Sequence, residues 1–190
     1  MCNQLPAQID TCRLLIRVAR PEDAKVLNDA VLESLPELSP WLCWVHPVPA
    51  FADSVVACRT AYARYLLNEE LRVLLFLRAT GELVGGSGLH NIDWTLRRFE
   101  VGYWGRTRFC GQGFITEAVN ALASHALCEL GATRVCLTMD ARNLRSCRVA
   151  ERAGFVYEGT LRNARLDPDG HSEHTKVYSR IPTDHQGTNG

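Results

Sequence analysis

Apolar side chains recur along the chain with two spacings, and the switches between them mark the elements. Residues 1–11 carry neither spacing and read as a loose end. An apolar run over 14–18 predicts a first strand. Pro21, Glu22 and Asp23 then open a helix, since Pro fits a first turn and carboxylates suit the helix dipole. Ala24, Leu27, Val31 and Leu35 keep helical spacing up to Pro36. Residues 36–50, with Pro36, Pro40, Pro47 and Pro49 among Trp41, Trp44 and His46, predict an irregular loop. Such a loop lines a pocket or subunit contact, or is pinned by its own aromatics. A second helix is predicted over 52–68 from Val55, Arg59, Tyr62 and Leu66.

The runs 71–77 and 83–89 flank Arg78-Ala79-Thr80-Gly81-Glu82 and predict a hairpin, followed by a third strand over 97–104. Residues 114–130 hold the strongest helical pattern, Ile115, Val119, Leu122, Ala126 and Leu130, with Gly131 as a left-handed stop. A strand over 133–140 alternates Val135, Leu137 and Met139. Asn143 caps a short helix through 153, ended by Gly154. Strands at 155–161 and 174–179 follow, separated by the turn Asp167-Pro168-Asp169-Gly170. Hairpins first and a strand–helix–strand crossover later predict an α+β domain over 1–182, a mixed sheet with helices on its faces. Residues 183–190 are polar and are expected to be disordered.

Composition narrows the function classes. With 190 residues and 46% hydrophobic content the chain has material for one full core. Lys+Arg and Asp+Glu are both 21, which removes the global argument for a nucleic-acid binder. The 8 cysteines form no C-x-x-C, so they are expected to be reduced, small buried hydrophobes, and no metal is assigned. No basic stretch precedes an apolar run at the N-terminus, and the longest apolar runs fall far short of a membrane span. A cytoplasmic protein with no membrane contact is expected.

The candidate chemistry centres on Arg108, Gly111 and Gly113, an R-x-x-G-x-G loop between a strand and a helix. Glycines there bring bare backbone N–H groups to a ligand, and the helix start adds unpaired donors and partial positive charge. Together they make an anion site, most naturally for phosphate. The loop is not a P-loop, because no Lys-Ser or Lys-Thr follows Gly113, and its mid-chain place after a hairpin fits a dinucleotide fold poorly.

With its context, the chain resembles the GNAT N-acetyltransferases, and within them the RimJ/RimL-type enzymes that acetylate ribosomal-protein N-termini. The matching residues are Glu100-Val101-Gly102-Tyr103-Trp104, Arg108-Phe109-Cys110-Gly111-Gln112-Gly113-Phe114 and Thr116-Glu117-Ala118-Val119. Asn143, Ser146, Val149, Glu151-Arg152-Ala153-Gly154-Phe155 and Glu158-Gly159 continue the match, and Leu14, Ile16 and Arg17 fit near the start. The resemblance implies a GNAT fold of about seven strands, mostly antiparallel, flanked by about four helices. It implies transfer of acetyl from acetyl-CoA to a primary amine in a ternary complex, with no metal. The acceptor it favours is a protein N-terminus, plausibly ribosomal. A small amine is the alternative acceptor, a non-catalytic CoA-binding module the alternative class, and a homodimer is compatible with either.

The resemblance also assigns roles. The N–H groups of Phe109, Cys110, Gly111, Gln112, Gly113 and Phe114 cradle the pyrophosphate of CoA, and Arg106 and Arg108 add charge. The strand holding Glu100 splays from its neighbour, so that the pantetheine arm pairs with its free backbone. An N–H near Val101 or Tyr103 polarises the thioester carbonyl. Glu100 is the candidate base, best suited if burial raises its pKa; otherwise it is a surface partner of Arg97 or Arg98. Ser146 protonates the departing thiolate or serves the helix start, and Asn143 both caps the helix and bonds the pantetheine arm. Arg142, Arg145, Arg148 and Arg152 fall near one helix face, either solvated or near the phosphorylated ribose of CoA. Cys110 departs from the family's commoner loop wording, and residues 41–49 match no known acceptor side.

Overall fold

A computed structural model describes residues 4–185 of the chain. Its sheet has eight strands: β1 (Gln8–Asp10), β2 (Leu14–Val18), β3 (Leu71–Leu77), β4 (Leu83–Asp93), β5 (Arg98–Gly105), β6 (Arg134–Asp140), β7 (Val156–Leu166) and β8 (Ser172–Arg180). They lie in the order β1-β2-β3-β4-β5-β6-β8-β7. Every neighbouring pair is antiparallel except β5 and β6. The helices are α1 (Ala24–Glu33), α2 (Leu35–Leu38), α3 (Phe51–Leu66), α4 (Phe114–Cys128), α5 (Leu144–Arg152) and α6 (Pro182–His185).

The sheet is covered on both faces, which explains the apolar run from Val73 to Leu77 in β3. Val73 and Leu75 join the core that contains Phe114, Ala118, Val119, Leu122 and Ala126 of α4. Leu74 and Phe76 point the other way, to Ala30 of α1 and Ala61 of α3. Burying one such large side chain is worth roughly 1.5–3 kcal/mol, so the α4 stripe anchors the helix whose first turn borders the cleft described below.

Four expectations change. The loose N-terminal end contains β1, whose Ile9 lies opposite Ile16; three residues, two of them polar, give no alternation to read. The loop 36–50 is partly ordered, since α2 carries Pro36 in its first turn, where no N–H is needed, and Cys43–Val45 forms a 3-10 turn. The closing strands run further than 155–161 and 174–179, because the exposed β7 and β8 keep pairing out to Leu166↔Ser172. Residues 183–185 of the expected tail belong to α6, and 186–190 lie outside the described residues.

One junction positions the site. β5 pairs with β6 only through Arg98↔Arg134, Phe99↔Val135 and Glu100↔Cys136. Beyond Glu100, β5 continues against β4 as far as Gly105, and β6 continues against β8 as far as Asp140. The two strands therefore diverge, and the β6-facing edge of residues 101–105 has no strand partner.

Candidate active site

The cleft opened by this divergence is bounded at one end by the glycine loop. A 3-10 turn, Thr107–Phe109, links β5 to the loop. It uses two of the expected cradle donors: Phe109 N–H donates to Arg106 O and Cys110 N–H to Thr107 O. The open donors therefore start later than expected. Among the described residues, the N–H groups of Gly111, Gln112 and Gly113 donate to no protein acceptor, and the first N–H groups of α4 follow them. Gly111 and Gly113 have φ of 80° and 81°, a left-handed conformation that β-carbon-bearing residues rarely adopt. A Cβ at Gly111 would stand in open space, so the loop presents bare backbone to whatever binds.

A cavity of about 510 Å³ lies on this loop, bordered by Phe109, Cys110, Gly111, Gly113 and Phe114. Of the candidate arginines, those of the loop do not border it and three of those on the short helix do. Arg106 is buried, 8% exposed, and its guanidinium pairs with Glu33 of α1 at 2.6 Å. Arg108 reaches the same carboxylate at 2.8 Å. The two cations, Arg108 foremost, hold Glu33 below the usual carboxylate range. Both are thus engaged in fastening the loop to α1, and neither borders the cavity. Arg145, Arg148 and Arg152 of α5 do border it. Among the described residues they have no carboxylate partner, whereas Arg142 turns away to Asp140 and Asp167. The short helix therefore offers three free guanidinium groups to an anion beside the open amides.

At the reacting end, the side chain of Asn143 accepts from Ser146 N–H at 3.0 Å and caps α5. That bond uses the serine backbone only; its hydroxyl has no partner among the described residues. Tyr103 spans the gap between the diverging elements, donating its hydroxyl to Ser146 O at 3.0 Å. Burial pushes that hydroxyl up to about 12, so it stays a donor.

Glu100 stands where the strands part. Burial alone would push its carboxyl up, as expected of a base. The approach of His90 and hydrogen bonds from Thr138 and Asn91 outweigh burial and hold it at about 2. Arg97 and Arg98 are not its partners; His90 at 3.7 Å and Arg165 at 3.8 Å are. The expectation of a raised pKa is therefore corrected: the carboxylate is kept ionised by its donors.

A second cavity, about 820 Å³, adjoins the first and takes in the gap between β5 and β6, where Val101, Leu137, Thr138 and Met139 line it. Trp41, Leu42, Tyr103, Trp104, Asn143 and Ser146 border both cavities. The second one runs over Gly88, Gly102 and His90 on the sheet, past Trp44, to Arg64 in the last turn of α3 and to Glu69 and Glu70 beyond it. Trp44 stacks edge-on against Trp104 with ring centroids 6.4 Å apart. The arrangement suits a two-substrate transfer. An anionic, elongated substrate fits the loop side, a second enters opposite, and the two meet at the shared wall.

Several of these groups escape sequence reasoning. His90 lies just past the predicted end of β4, and Thr138, Arg165 and Glu173 join the site from β6, β7 and β8. For His90 the alternation of Gly86, Gly88 and His90 is visible, but a bulge between His90 and Asp93 shifts the register, so counting back from the Asp93↔Arg98 pair would set Asn91 opposite Glu100 instead. The cysteines are also corrected. Among the described residues none is paired, but only Cys58 and Cys147 are buried, while Cys12, Cys43, Cys110 and Cys128 are exposed.

Comparison with known proteins agrees with this geometry. Residues 13–156 match the family model described as "Acetyltransferase (GNAT) domain". The chain is 32% identical over 186 residues to "Putative ribosomal N-acetyltransferase YdaF" of Bacillus subtilis, covering 93% of this chain and 98% of that one. It is 32% identical over 100 residues to the ribosomal-protein-serine acetyltransferase of Escherichia coli, covering 53% of this chain and 55% of that one. Among solved structures, RimL, a ribosomal L7/L12 alpha-N-protein acetyltransferase in complex with coenzyme A, superposes with a TM-score of 0.85. At 23% identity, with 92% and 97% of the two chains covered, that likeness speaks for the fold. The chain thus belongs to the GNAT acetyltransferase family, and with the family come acetyl-CoA as co-substrate and an amine as acceptor.

Proposed function

We propose that the enzyme acetylates the α-amine at the N-terminus of a protein, of ribosomal type, by direct attack on acetyl-CoA in a ternary complex. The observation that carries this reading is the shape of the acceptor side. The larger cavity is an open groove that continues past the shared wall to the end of α3, leaving room for a chain behind the reacting amine. The relatives named for ribosomal-protein acetylation favour the same acceptor.

In this reading the phosphates of CoA lie against the N–H groups of Gly111, Gln112 and Gly113 and the first turn of α4, with Arg145, Arg148 and Arg152 alongside. The pantetheine arm follows the bare edge of β5 past Val101 and Tyr103 towards Asn143. A backbone N–H on that edge polarises the thioester carbonyl. The amine nitrogen bonds to the carbonyl carbon, the C–S bond breaks, and the Ser146 hydroxyl, free of other partners, protonates the thiolate. The ionised Glu100 attracts the incoming ammonium.

Thiol release from acetyl-CoA tests the acceptor, comparing peptides with varied N-terminal residues against amino acids and polyamines. Peptides are expected to exceed small amines by at least about a hundredfold in kcat/KM, because a small amine lacks the remote portion whose binding energy a peptide draws on in the transition state. A small amine turned over best would overturn the protein acceptor. CoA binding with no thiol release from any amine would make the chain a binding module.

A further inference from the structure

An amine attacks a thioester only after losing a proton, and Glu100 is a poor recipient for it. Its carboxylate accepts hydrogen bonds from Asn91 and Thr138 and faces Arg165, and it is held at about 2. Against an ordinary α-amine near 8, that is a deficit on the order of a millionfold.

His90 is placed to do better. It is the register partner of Glu100 across β4 and β5, and its Nε2 lies 3.7 Å from Glu100 Oε1. Its ring lies on Gly102, so closely that a Cβ there would stand 2.9 Å from Cε1 and 3.3 Å from Nδ1. Only a glycine leaves room for the ring at this point of β5, two residues past the last rung to β6. The side chain is 35% exposed and borders the acceptor cavity. A carboxylate facing Nε2 favours the tautomer with its proton there, which leaves Nδ1 as a bare acceptor. No protein donor reaches Nδ1 among the described residues.

We propose that His90 receives the proton of the attacking amine at Nδ1, with Glu100 as the carboxylate that selects its tautomer and steadies the imidazolium. This rests on the reading of the site as one of direct attack by an amine. The ammonium first gives one proton to Nδ1, which passes it to water; the neutral amine then attacks, and as the C–N bond forms the nitrogen's surplus proton passes to Nδ1 in turn. The electron pair of the breaking C–S bond leaves with sulfur, which takes a proton from Ser146, itself reprotonated from solvent. His90 then returns its proton to water. Charged groups bordering the same cavity are Glu70 just before β3, Arg72 on β3, Asp140 on β6, Arg165 on β7, Glu173 on β8, and Arg64 and Glu69 near the end of α3. Of these, Glu173 is pushed up to about 7 by burial and by Asp140. It stands on β8, separated from β5 by β6.

The test measures kcat against pH for wild type, His90→Gln, Glu173→Gln and Glu100→Gln, at saturating acetyl-CoA, with the best amine of the panel. His90→Gln is expected to lose about 10²–10⁴-fold in kcat at neutral pH, the usual range for a general base. Its CoA affinity should stay within about twofold. Its acid limb should be replaced by a rate that follows the free-amine fraction, while Glu173→Gln keeps the wild-type limb. A His90→Gln enzyme with wild-type kcat and limb, or a limb that moves with Glu173→Gln, overturns the proposal. In wild type labelled with ¹⁵N-histidine, the neutral ring should carry its proton on Nε2, and Glu100→Gln should disturb that balance. A ring protonated on Nδ1 overturns it without any assay of turnover. A panel won by small amines sinks the protein acceptor alone and leaves the His90 comparison intact.

Discussion

The two flanks of the cleft are built on opposite plans. The flank we assign to the cofactor is made of backbone: glycines in left-handed conformations, unpaired amides at a helix start and a strand edge without a neighbour. The acceptor flank is made of side chains: Trp41, Trp44 and Trp104 from separate elements, with charges at the rim from β3 and beyond α3. A backbone site fits one chemical group and tolerates little change. A side-chain site can be revised residue by residue while the fold stands, so acceptor choice is the adjustable half of the enzyme.

The contrast can be broken most sharply at Gly113. In Gly113→Val a β-branched residue must adopt a φ of 81° beside the open amides. Acetyl-CoA affinity should fall at least about a hundredfold by calorimetry, while circular dichroism keeps the folded spectrum; normal affinity would remove the loop from the cofactor site. Next comes Ser146→Ala. The α5 cap uses the Asn143 side chain and the Ser146 backbone N–H, both of which the variant keeps. A drop in kcat of about 10–100-fold with unchanged CoA affinity would therefore report the hydroxyl's chemistry; an unchanged kcat would leave residue 146 a helix-start residue only. A smaller effect separates the two groups of arginines. Arg145→Ala with Arg148→Ala should raise KM for acetyl-CoA about tenfold, more so at low salt, as exposed charges on an anion do. Arg108→Ala should change it less than about twofold, because that guanidinium is already paired with Glu33. Equal effects would dissolve the distinction.

The smallest effect concerns acid stability. Glu100 has a folded pKa of about 2 against an ordinary 4.5, so its ionised form favours the folded state above pH 4.5, and that contribution is lost as pH falls towards 2. The melting temperature of wild type should therefore fall more steeply over this interval than that of Glu100→Gln. Parallel curves would mean that the donors around Glu100 do not hold its proton off.

The conformation of the glycine loop was legible because it leaves a fixed signature: left-handed Gly111 and Gly113 and a capping Asn143 at set distances from a strand and a helix. The main helices and the central strands were legible too, since α4 carries strong periodicity and β3 an apolar run from Val73 to Leu77. Other features were not. Arg106 and Arg108 sit in the loop motif, yet their partner Glu33 lies more than seventy residues away on α1, a pairing that only the folded chain reveals. The polar continuation of β7 beyond residue 161 shows no alternation because the strand is exposed on both faces. The state of Glu100 depends on donors from β4 and β6, and no local spacing encodes them.

The single parallel junction has a mechanical consequence. β1 to β5 form one blade and β6 to β8 another, and the sheet rivets them together by three rungs at one end. Past the rivet, the blades are held at their working angle by cross-braces, among them the bond from Tyr103 of one blade to the Ser146 carbonyl beyond the other. Whatever reacts lies in the throat of the wedge, so a small rotation about those rungs would alter reach at the open end far more than at Glu100.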